Sequence, residues 1–299
     1  MKTAIIPARF QNGYLHDAHV KLIKHAMDNN ERVIVFAGQP ETRLTTNNPL
    51  PFEARKKMIL ELFDIEVFPM PDFKYDDIWV KELDKRIDNI ARGEEITLYG
   101  SRDSFINCYE QNGGYFKVEM VHDIVIENLS SSVLRQVTHK EIKNGNSWRE
   151  GIVFASAYKY PVSYQTVDIA IIDSFKNRIL LGKKKYEKKF RFIGGHVDVA
   201  DSCLEEAAKR EVIEEAGYIE TANYKYICST RIDDWRYRKS KDKIMTTFFY
   251  CNYIFGHSQA SDDICDVQWF QLKDLTADIF EPEHIVLFNE LEKYLIKIN

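Results

Sequence analysis

Three glutamates and an arginine follow a glycine-containing loop in the second half of the chain. The loop begins at Gly194, and Arg210 is followed by Glu211, Glu214 and Glu215. At about 100° per helical residue, Glu215 lies about 40° around a helix from Glu211 and Glu214 lies about 60° the other way. Three carboxylates on one face repel one another without a cation, and an all-oxygen site suits Mg²⁺ or Mn²⁺, which in turn can hold a diphosphate. The spacing therefore predicts a metal-dependent site that cleaves pyrophosphate bonds.

Two histidines stand three residues apart near the N-terminus, where a short apolar strand gives way to a helix. His16 and His19 follow the predicted strand 3–7 and its loop. The start of a helix binds anions through free N–H groups and the dipole, and histidines there can hydrogen-bond phosphate oxygens and stabilise a departing pyrophosphate. By spacing alone, such a pair is more typical of an incidental or metal-binding arrangement than of a phosphate site.

The first half of the chain alternates strand-like and helix-like segments. This alternation predicts an α/β fold with a doubly wound parallel sheet, whose ligands bind at the carboxyl ends of the strands. We therefore expect the histidine loop to lie at the binding edge. The predicted strands are 3–7, 32–37, 66–69 and 96–100, and the predicted helices are 18–27, 55–63 and 78–87.

The second half has a different pattern, with long β-runs interrupted by two helices, 202–216 and about 282–298. We expect a mixed sheet between helices. Periodicity is lost around the polar residues that precede it, so we predict a linker at 141–160 between a domain at 1–140 and a domain at 161–299. The β-runs are 166–173, 178–185, 226–232, 244–255 and 267–272.

The composition is that of an ordinary globular chain. It has 299 residues, 44% of them hydrophobic, and a net charge of -5, so no basic excess suggests nucleic acid as a partner. Five scattered cysteines without a CxxC pair indicate neither a disulfide framework nor a zinc site. No stretch approaches the roughly 18 apolar residues of a membrane span. We expect a cytoplasmic protein that does not bind membranes. The sequence leaves open whether it forms a homo-oligomer.

The pattern around the glutamates resembles the Nudix box, in which a glycine and a loop acid precede Arg-Glu-apolar-x-Glu-Glu-x-Gly. The resemblance implies a Nudix α/β/α sandwich with a mixed sheet. It also implies Mg²⁺, or alternatively Mn²⁺, held by Glu211, Glu214, Glu215 and the Gly194 carbonyl. Without the resemblance, the same residues are typical of a solvated acidic helix.

Several details of this second site stay open. The loop acid is Asp201 instead of Glu and lies one residue further from Arg210 than in the family, so either the loop is longer or Ser202 takes the place of the acid. The general base is Glu211 or an acid of the Asp262–Asp263 loop. The basic run 183–189 favours a solvated hairpin over a phosphate binder. Two arginines beside aromatic residues form a candidate substrate lip for adenine and phosphate; they are Arg236 and Arg238.

The first half resembles nucleotidyltransferases of the nicotinamide mononucleotide (NMN) adenylyltransferase type. Arg-Phe-Gln at 9–11 and the two histidines are similar to the HxGH signature, and residues 129–135 are similar to the ISxTxxR motif, whose hydroxyls and arginine grip the triphosphate of ATP. The loop is two residues longer than in the family, and Ala18 replaces the glycine between the histidines. Trp79 is equally compatible with the core and with a base-binding role. The residues that the resemblance assigns to this site are Arg9, Phe10, Gln11, His16, His19, Trp79, Gly100, Arg102, Asp103, Ser130, Ser132 and Arg135.

Together, the two halves resemble the bifunctional NMN adenylyltransferase/Nudix hydrolase family. The resemblance implies an enzyme that joins NMN and ATP to give NAD and pyrophosphate in a Rossmann-like first domain. It further implies hydrolysis of ADP-ribose to AMP and ribose 5-phosphate in the second. Two alternatives remain: enzymes of the same types acting on another phosphate acceptor and other nucleoside diphosphate derivatives, or a nucleotide-sensing regulator without catalysis.

Overall fold

The computed structural model describes residues 1–42, 44–101, 104–122, 131–141 and 147–298. The chain divides into two compact units, Met1–Tyr160 and Pro161–Asn299. All five cysteines are free. Among the described residues, no helix combines the length and the apolar character that a membrane span requires.

The first unit contains a five-stranded sheet in the order β3-β2-β1-β4-β5, and every paired strand runs parallel. The chain builds the sheet outward from β1 first on one side and then on the other. The carboxyl ends of β1 and β4 therefore flank the switch point at which ligands bind in such sheets. The predicted doubly wound α/β fold is confirmed. The strands are β1 Lys2–Ala8, β2 Arg32–Gln39, β3 Glu66–Pro71, β4 Glu95–Gly100 and β5 Lys117–Met120.

Helices cover both faces of this sheet because the side chains of β1 alternate. Ala4 and Ile6 pack with the buried Leu22 and Ile23 of the first helix, whereas Ile5 packs on the opposite face with residues of the third helix. Each buried leucine or isoleucine among them stabilises the unit by about 1.5–3 kcal/mol. The helices are α1 Asp17–Asn29, α2 Phe52–Leu60, α3 Asp76–Ile90, α4 Ile106–Gln111, α5 Ser131–Thr138 and α6 Trp148–Tyr158.

Helix α6 lies where the sequence predicts a linker, and this part of the prediction needs correction. Ser147 caps the helix by accepting a hydrogen bond from the Glu150 N–H at 3.3 Å. Val153 is fully buried and packs against Leu50 and Ala54 of the first unit. These contacts make residues 148–158 part of the first unit, which extends to Tyr160.

The second unit contains a mixed sheet in the order β10-β7-β6-β9-β8, in which β6 and β9 pair in parallel and the other pairs are antiparallel. Helix α7 packs against one face of β6 through Ala207, Ala208 and Val212. Helix α8 packs through Leu287 and Leu291 with the alternate residues of β6. The predicted sandwich is confirmed. The elements are β6 Ser163–Asp173, β7 Arg178–Lys184, α7 Leu204–Ala216, β8 Ile219–Ile232, β9 Lys243–Gly256, β10 Ile264–Gln271 and α8 Ile285–Ile298.

Candidate active sites

The predicted histidine pair forms at the carboxyl end of β1. His16 is the N-cap residue of α1, and its ring stacks on the His19 ring with a centroid distance of 3.6 Å and an interplanar angle of 23°. Phe10 meets the His19 ring edge-on at 4.8 Å. Burial lowers the pKa of His19 to about 3, helped by His16, and burial also lowers the pKa of His16. Both imidazoles are therefore neutral at neutral pH, when each carries one N–H that can donate to a phosphate oxygen.

Arginines surround the same end of the sheet. Arg9 pairs with Asp72 through Nη2 and Oδ2 at 2.9 Å and lies close enough to Arg135 to help burial lower the pKa of that guanidinium. Arg55 is only 1% exposed and donates from Nη1 to the carbonyl oxygens of Arg9 and Gly38, each at 2.7 Å. Burial, followed by repulsion from Arg9, lowers the pKa of Arg55 to about 10. Three guanidinium groups so close together favour an anionic ligand.

The other predicted nucleotide-binding residues have varied surroundings. Gln11 is buried, and its Oε1 accepts a hydrogen bond from the Leu50 N–H at 2.9 Å, so its carbonyl oxygen fixes the loop. The Trp79 ring lies 6.2 Å from the Phe105 ring between centroids and packs, partly buried, against the apolar cluster that includes residues of α3. Gly100 ends β4 at the binding edge, and the Arg135 guanidinium donates to the Ser132 hydroxyl at 3.3 Å. Three predicted residues lie outside the described residues: Arg102, Asp103 and Ser130.

In the second unit, the glycine loop and α7 are joined through a buried carboxylate. The Gly194 N–H donates to Glu215 Oε2 at 2.8 Å, and Glu215 is 2% exposed. Gly194 has a φ of 148°, and a β-carbon there would lie 2.1 Å from the Val167 carbonyl oxygen, so only glycine fits. A β-carbon on Gly195 would lie 2.7 Å from a carboxylate oxygen of Glu211. The two glycines thus allow the backbone to approach the acidic face of the helix.

Arg210 connects the acids of this face. Its guanidinium donates to Glu211 Oε1 at 2.9 Å, to Glu214 Oε2 at 2.6 Å and to the two carboxylate oxygens of Asp201 at 3.1 and 2.9 Å. The hydrogen bonds from Arg210 to Asp201 hold the pKa of Asp201 below its ordinary value. The Ser202 hydroxyl instead bonds Glu206 at 2.5 Å. Asp201 is therefore the loop acid that meets the arginine, which decides between the two sequence alternatives.

A cavity of about 230 Å³ opens beside this face and is lined by both acids and bases. Lys184 lies in it, with Nζ 3.8 Å from Glu215 Oε1 and hydrogen-bonded to Asp263. The sequence interpretation of the run 183–189 as a solvated hairpin misses this side chain. Asp263, an open candidate for the general base, lies next to Glu215. The lining includes Asp168, Lys184, Arg191, Gly194, Gly195, His196, Glu211, Glu214, Glu215, Asp234, Arg236, Asp262, Asp263 and His284.

The two arginines of the predicted substrate lip have different surroundings. Arg236 lines the cavity and pairs with Asp234 through Nη2 and Oδ2 at 2.9 Å. Arg238 is not among the residues described along the cavity wall and instead pairs with Asp233 at 3.0 Å and Glu283 at 3.3 Å. The arginine placed to meet a ligand in this cavity is therefore Arg236.

The carboxylate oxygens of the second site are chemically suited to bind a divalent cation, because they are the ligands that Mg²⁺ and Mn²⁺ prefer. Burial raises the pKa of Glu215 to about 8 and also raises that of Glu211, because burial disfavours the charged form of a carboxyl group. In the arrangement described, cationic side chains stand among these acids. Over the described part of the chain, no three Asp, Glu, His or Cys residues converge as a ready metal site.

Comparisons with known proteins match different families to the two halves of the chain. Residues 163–291 match the family model of the NUDIX domain, a match that supports dependence on a divalent ion. A nicotinamide-nucleotide adenylyltransferase of Saccharolobus solfataricus is 24% identical over 168 residues, covering 54% of this chain and 90% of the relative. One of Aeropyrum pernix is 30% identical over 109 residues, covering 33% of this chain and 62% of the relative.

Among solved structures, a bifunctional NMN adenylyltransferase/ADP ribose pyrophosphatase of Francisella tularensis complexed with AMP and an Mn ion matches with 20% identity. The match covers 98% of this chain and 99% of that chain, with a TM-score of 0.47. The NUDIX domain of Shewanella oneidensis NrtR complexed with ADP ribose matches 46% of this chain and 90% of that chain at 17% identity and a TM-score of 0.39. By its sequence matches, the chain is similar to the NUDIX domain over residues 163–291 and has a region similar to nicotinamide-nucleotide adenylyltransferases.

Proposed function

We propose that the chain is a bifunctional enzyme with one active site in each unit. In the first unit, the 5′-phosphate of NMN attacks the α-phosphorus of ATP, a new oxygen–phosphorus bond forms, and pyrophosphate leaves to give NAD. In the second unit, water cleaves the diphosphate of ADP-ribose to give AMP and ribose 5-phosphate. The two reactions use separate residues and separate ligands.

The transfer reaction is supported above all by the stacked, neutral histidine pair at the switch point of the sheet. His16 and His19 would donate N–H groups to phosphate oxygens as negative charge builds on the departing pyrophosphate. Arg9 and Arg135 would bind the triphosphate, for which planar guanidinium groups are suited. Arg55 holds the loop carbonyls and adds positive charge. No covalent intermediate is needed, so the acceleration comes from positioning of the reactants and stabilisation of charge.

The hydrolytic reaction is supported by the acidic face of α7 beside the cavity. Glu211, Glu214, Glu215 and the Gly194 carbonyl would hold a divalent ion, which we take to be Mg²⁺. When bound, that ion would supply a polarised phosphate oxygen and a water of lowered pKa. Arg236 lies in the cavity wall, where its guanidinium can pair with a substrate phosphate.

Asp263 is our candidate for the group that accepts the proton of the attacking water. It lines the cavity beside Glu215, whereas Glu211 is engaged by Arg210 at 2.9 Å. Burial opposes the ionisation of Asp263, but contacts led by Lys184, with Arg191 contributing, together outweigh it and lower the pKa of this carboxyl. A carboxylate that stays ionised can serve as a base.

The test is an assay of the purified chain with ATP, Mg²⁺ and either NMN or nicotinate mononucleotide, followed by a panel of nucleoside diphosphate derivatives. We expect NAD from the first mixture and AMP from ADP-ribose. Absence of both products would reject the proposal. The five free cysteines support a cytoplasmic location for these reactions.

A further inference from the structure

The carboxyl group of Glu215 needs a positive partner in order to ionise. It is 2% exposed, and one of its oxygens is taken by the Gly194 N–H at 2.8 Å. The other oxygen, Oε1, faces the Lys184 ammonium at 3.8 Å. A buried carboxylate is strongly disfavoured unless a cation or several donors compensate it. Lys184 therefore helps to stabilise the ionised form of this acid.

Lys184 also bonds a second acid, and its backbone is fixed while its side chain reaches the cavity. The ammonium hydrogen-bonds Asp263, which lies just before β10. The Lys184 N–H donates to Glu187 Oε2 at 3.2 Å, and β7 is paired with β10 at this level. The side chain is 28% exposed in the cavity wall. A flexible four-carbon stem can move the ammonium without moving the strand.

The second cation of the cluster is held in a different way. Arg210 makes five hydrogen bonds, to Asp201, Glu211, Glu214 and the His196 carbonyl. Such a network fixes the arginine as part of the helix face. Arg191 also acts on Glu215 and is held by Glu187, to which its Nη1 donates at 2.9 Å. Among the described residues, the ammonium of Lys184 pairs with Glu215 and Asp263 alone, so it is the cation of this cluster that can leave.

We propose that Lys184 is an internal counter-cation of the carboxylate cluster and that a divalent ion binding to Glu215 displaces its ammonium. This inference rests on the proposed hydrolytic function of the same site. The ammonium and a divalent ion would compete for the same carboxylate oxygen and would repel each other at such short range. The competition explains why the acids are closed around cationic side chains in the structure, although their chemistry suits a metal ion.

The test is Mn²⁺ binding to the full chain without substrate, measured by titration calorimetry. Lys184→Met removes the competing charge and keeps most of the stem, so we expect Mn²⁺ to bind about tenfold more tightly than to the unchanged protein. Lys183→Met is the matched control, because the Lys183 ammonium lies over the Phe190 ring at 5.9 Å. The control should leave the affinity within about twofold.

A second variant should change the Mn²⁺ affinity in the opposite direction. Lys184→Arg places a forked cation against the same acids, which holds them more firmly, so Mn²⁺ should bind about threefold more weakly. In the absence of metal, Lys184→Met should lower the melting temperature, and saturating Mn²⁺ should restore it, because the ion replaces the lost charge. Unchanged or weaker Mn²⁺ binding to Lys184→Met would overturn the proposal, as would tighter binding to Lys184→Arg.

Cleavage of ADP-ribose by the unchanged protein is measured in parallel. If the variants shift Mn²⁺ binding as expected and no cleavage occurs, the counter-cation is supported and the proposed hydrolysis is rejected. If cleavage occurs and the variants bind Mn²⁺ like the unchanged protein, the hydrolysis is supported and the counter-cation is rejected.

Discussion

The neutral state of His19 makes the stability of the first unit depend on pH. Burial lowers the pKa of His19 to about 3, whereas an unfolded chain protonates histidine near its ordinary value of 6.5. As pH falls below that value, the unfolded state binds a proton that the folded state refuses, so stability is lost between pH 6.5 and about 3. Above this window the group contributes no pH dependence. His19→Gln removes the titration and keeps a polar side chain of similar reach.

The expected magnitude follows from these two pKa values. Integrating the proton uptake of one such group, the unchanged protein loses about 2 kcal/mol more than His19→Gln between about pH 7 and about pH 5. His16 faces the same ring and also has a lowered pKa, with Asp17 opposing the effect of burial. Because His16 is present in both proteins, the comparison of slopes isolates His19.

Hydrogen exchange followed by mass spectrometry measures this effect within the intact chain. After correction for intrinsic exchange, the slowest amides of β1 report the stability of the first unit at each pH. Amides of β6 in the second unit are the internal control, and their pH response should be the same in both proteins. Equal pH slopes for β1 in the two proteins would refute the assignment of a neutral, buried His19, as would an imidazole NMR signal that titrates near 6.5.

Three further substitutions test the positions of other residues. Arg149 donates from Nε to the Gly13 carbonyl of the histidine loop at 3.1 Å, so Arg149→Met should lower kcat for NAD formation about tenfold by displacing the loop, measured by steady-state kinetics with the melting temperature as control. Gly194→Ala would place a β-carbon against the Val167 carbonyl and should cost about 3 kcal/mol or more in unfolding free energy, measured by urea titration of the second unit. Arg210→Met leaves its acids without their shared cation and should reduce ADP-ribose cleavage about 100-fold; cleavage at the unchanged rate would remove the arginine from the site.

Much of the fold follows from local patterns in the sequence. Strands β1, β2 and β4 are apolar runs bounded by polar or proline residues, and the alternation with helices leaves little choice besides a parallel sheet. The Nudix helix could be placed because its carboxylates recur at helical spacing. Helix α6 was missed because it buries few residues, chiefly Val153, and follows a polar stretch that interrupts any period.

The environment of the site residues could not be read from spacing. Lys183 and Lys184 are adjacent in a basic run, and the period of a strand sends their side chains to opposite faces. Only the packing of β7 beside α7 decides that Lys184 reaches the acids. Likewise, the low pKa of His19 depends on burial beside Phe10, which lies nine residues earlier in the loop. Arg55 begins a helix that the sequence predicts, but its bonds to loop carbonyls depend on the tertiary fold.

The most direct test of two independent sites is a pair of assays on a pair of variants. NAD formation from NMN and ATP, and AMP formation from ADP-ribose, are measured for the unchanged chain, for His19→Ala and for Glu215→Gln. We expect His19→Ala to abolish NAD formation and retain ADP-ribose cleavage, and Glu215→Gln to do the reverse. A folded variant in which either substitution silences both reactions would contradict the assignment of one activity to each unit.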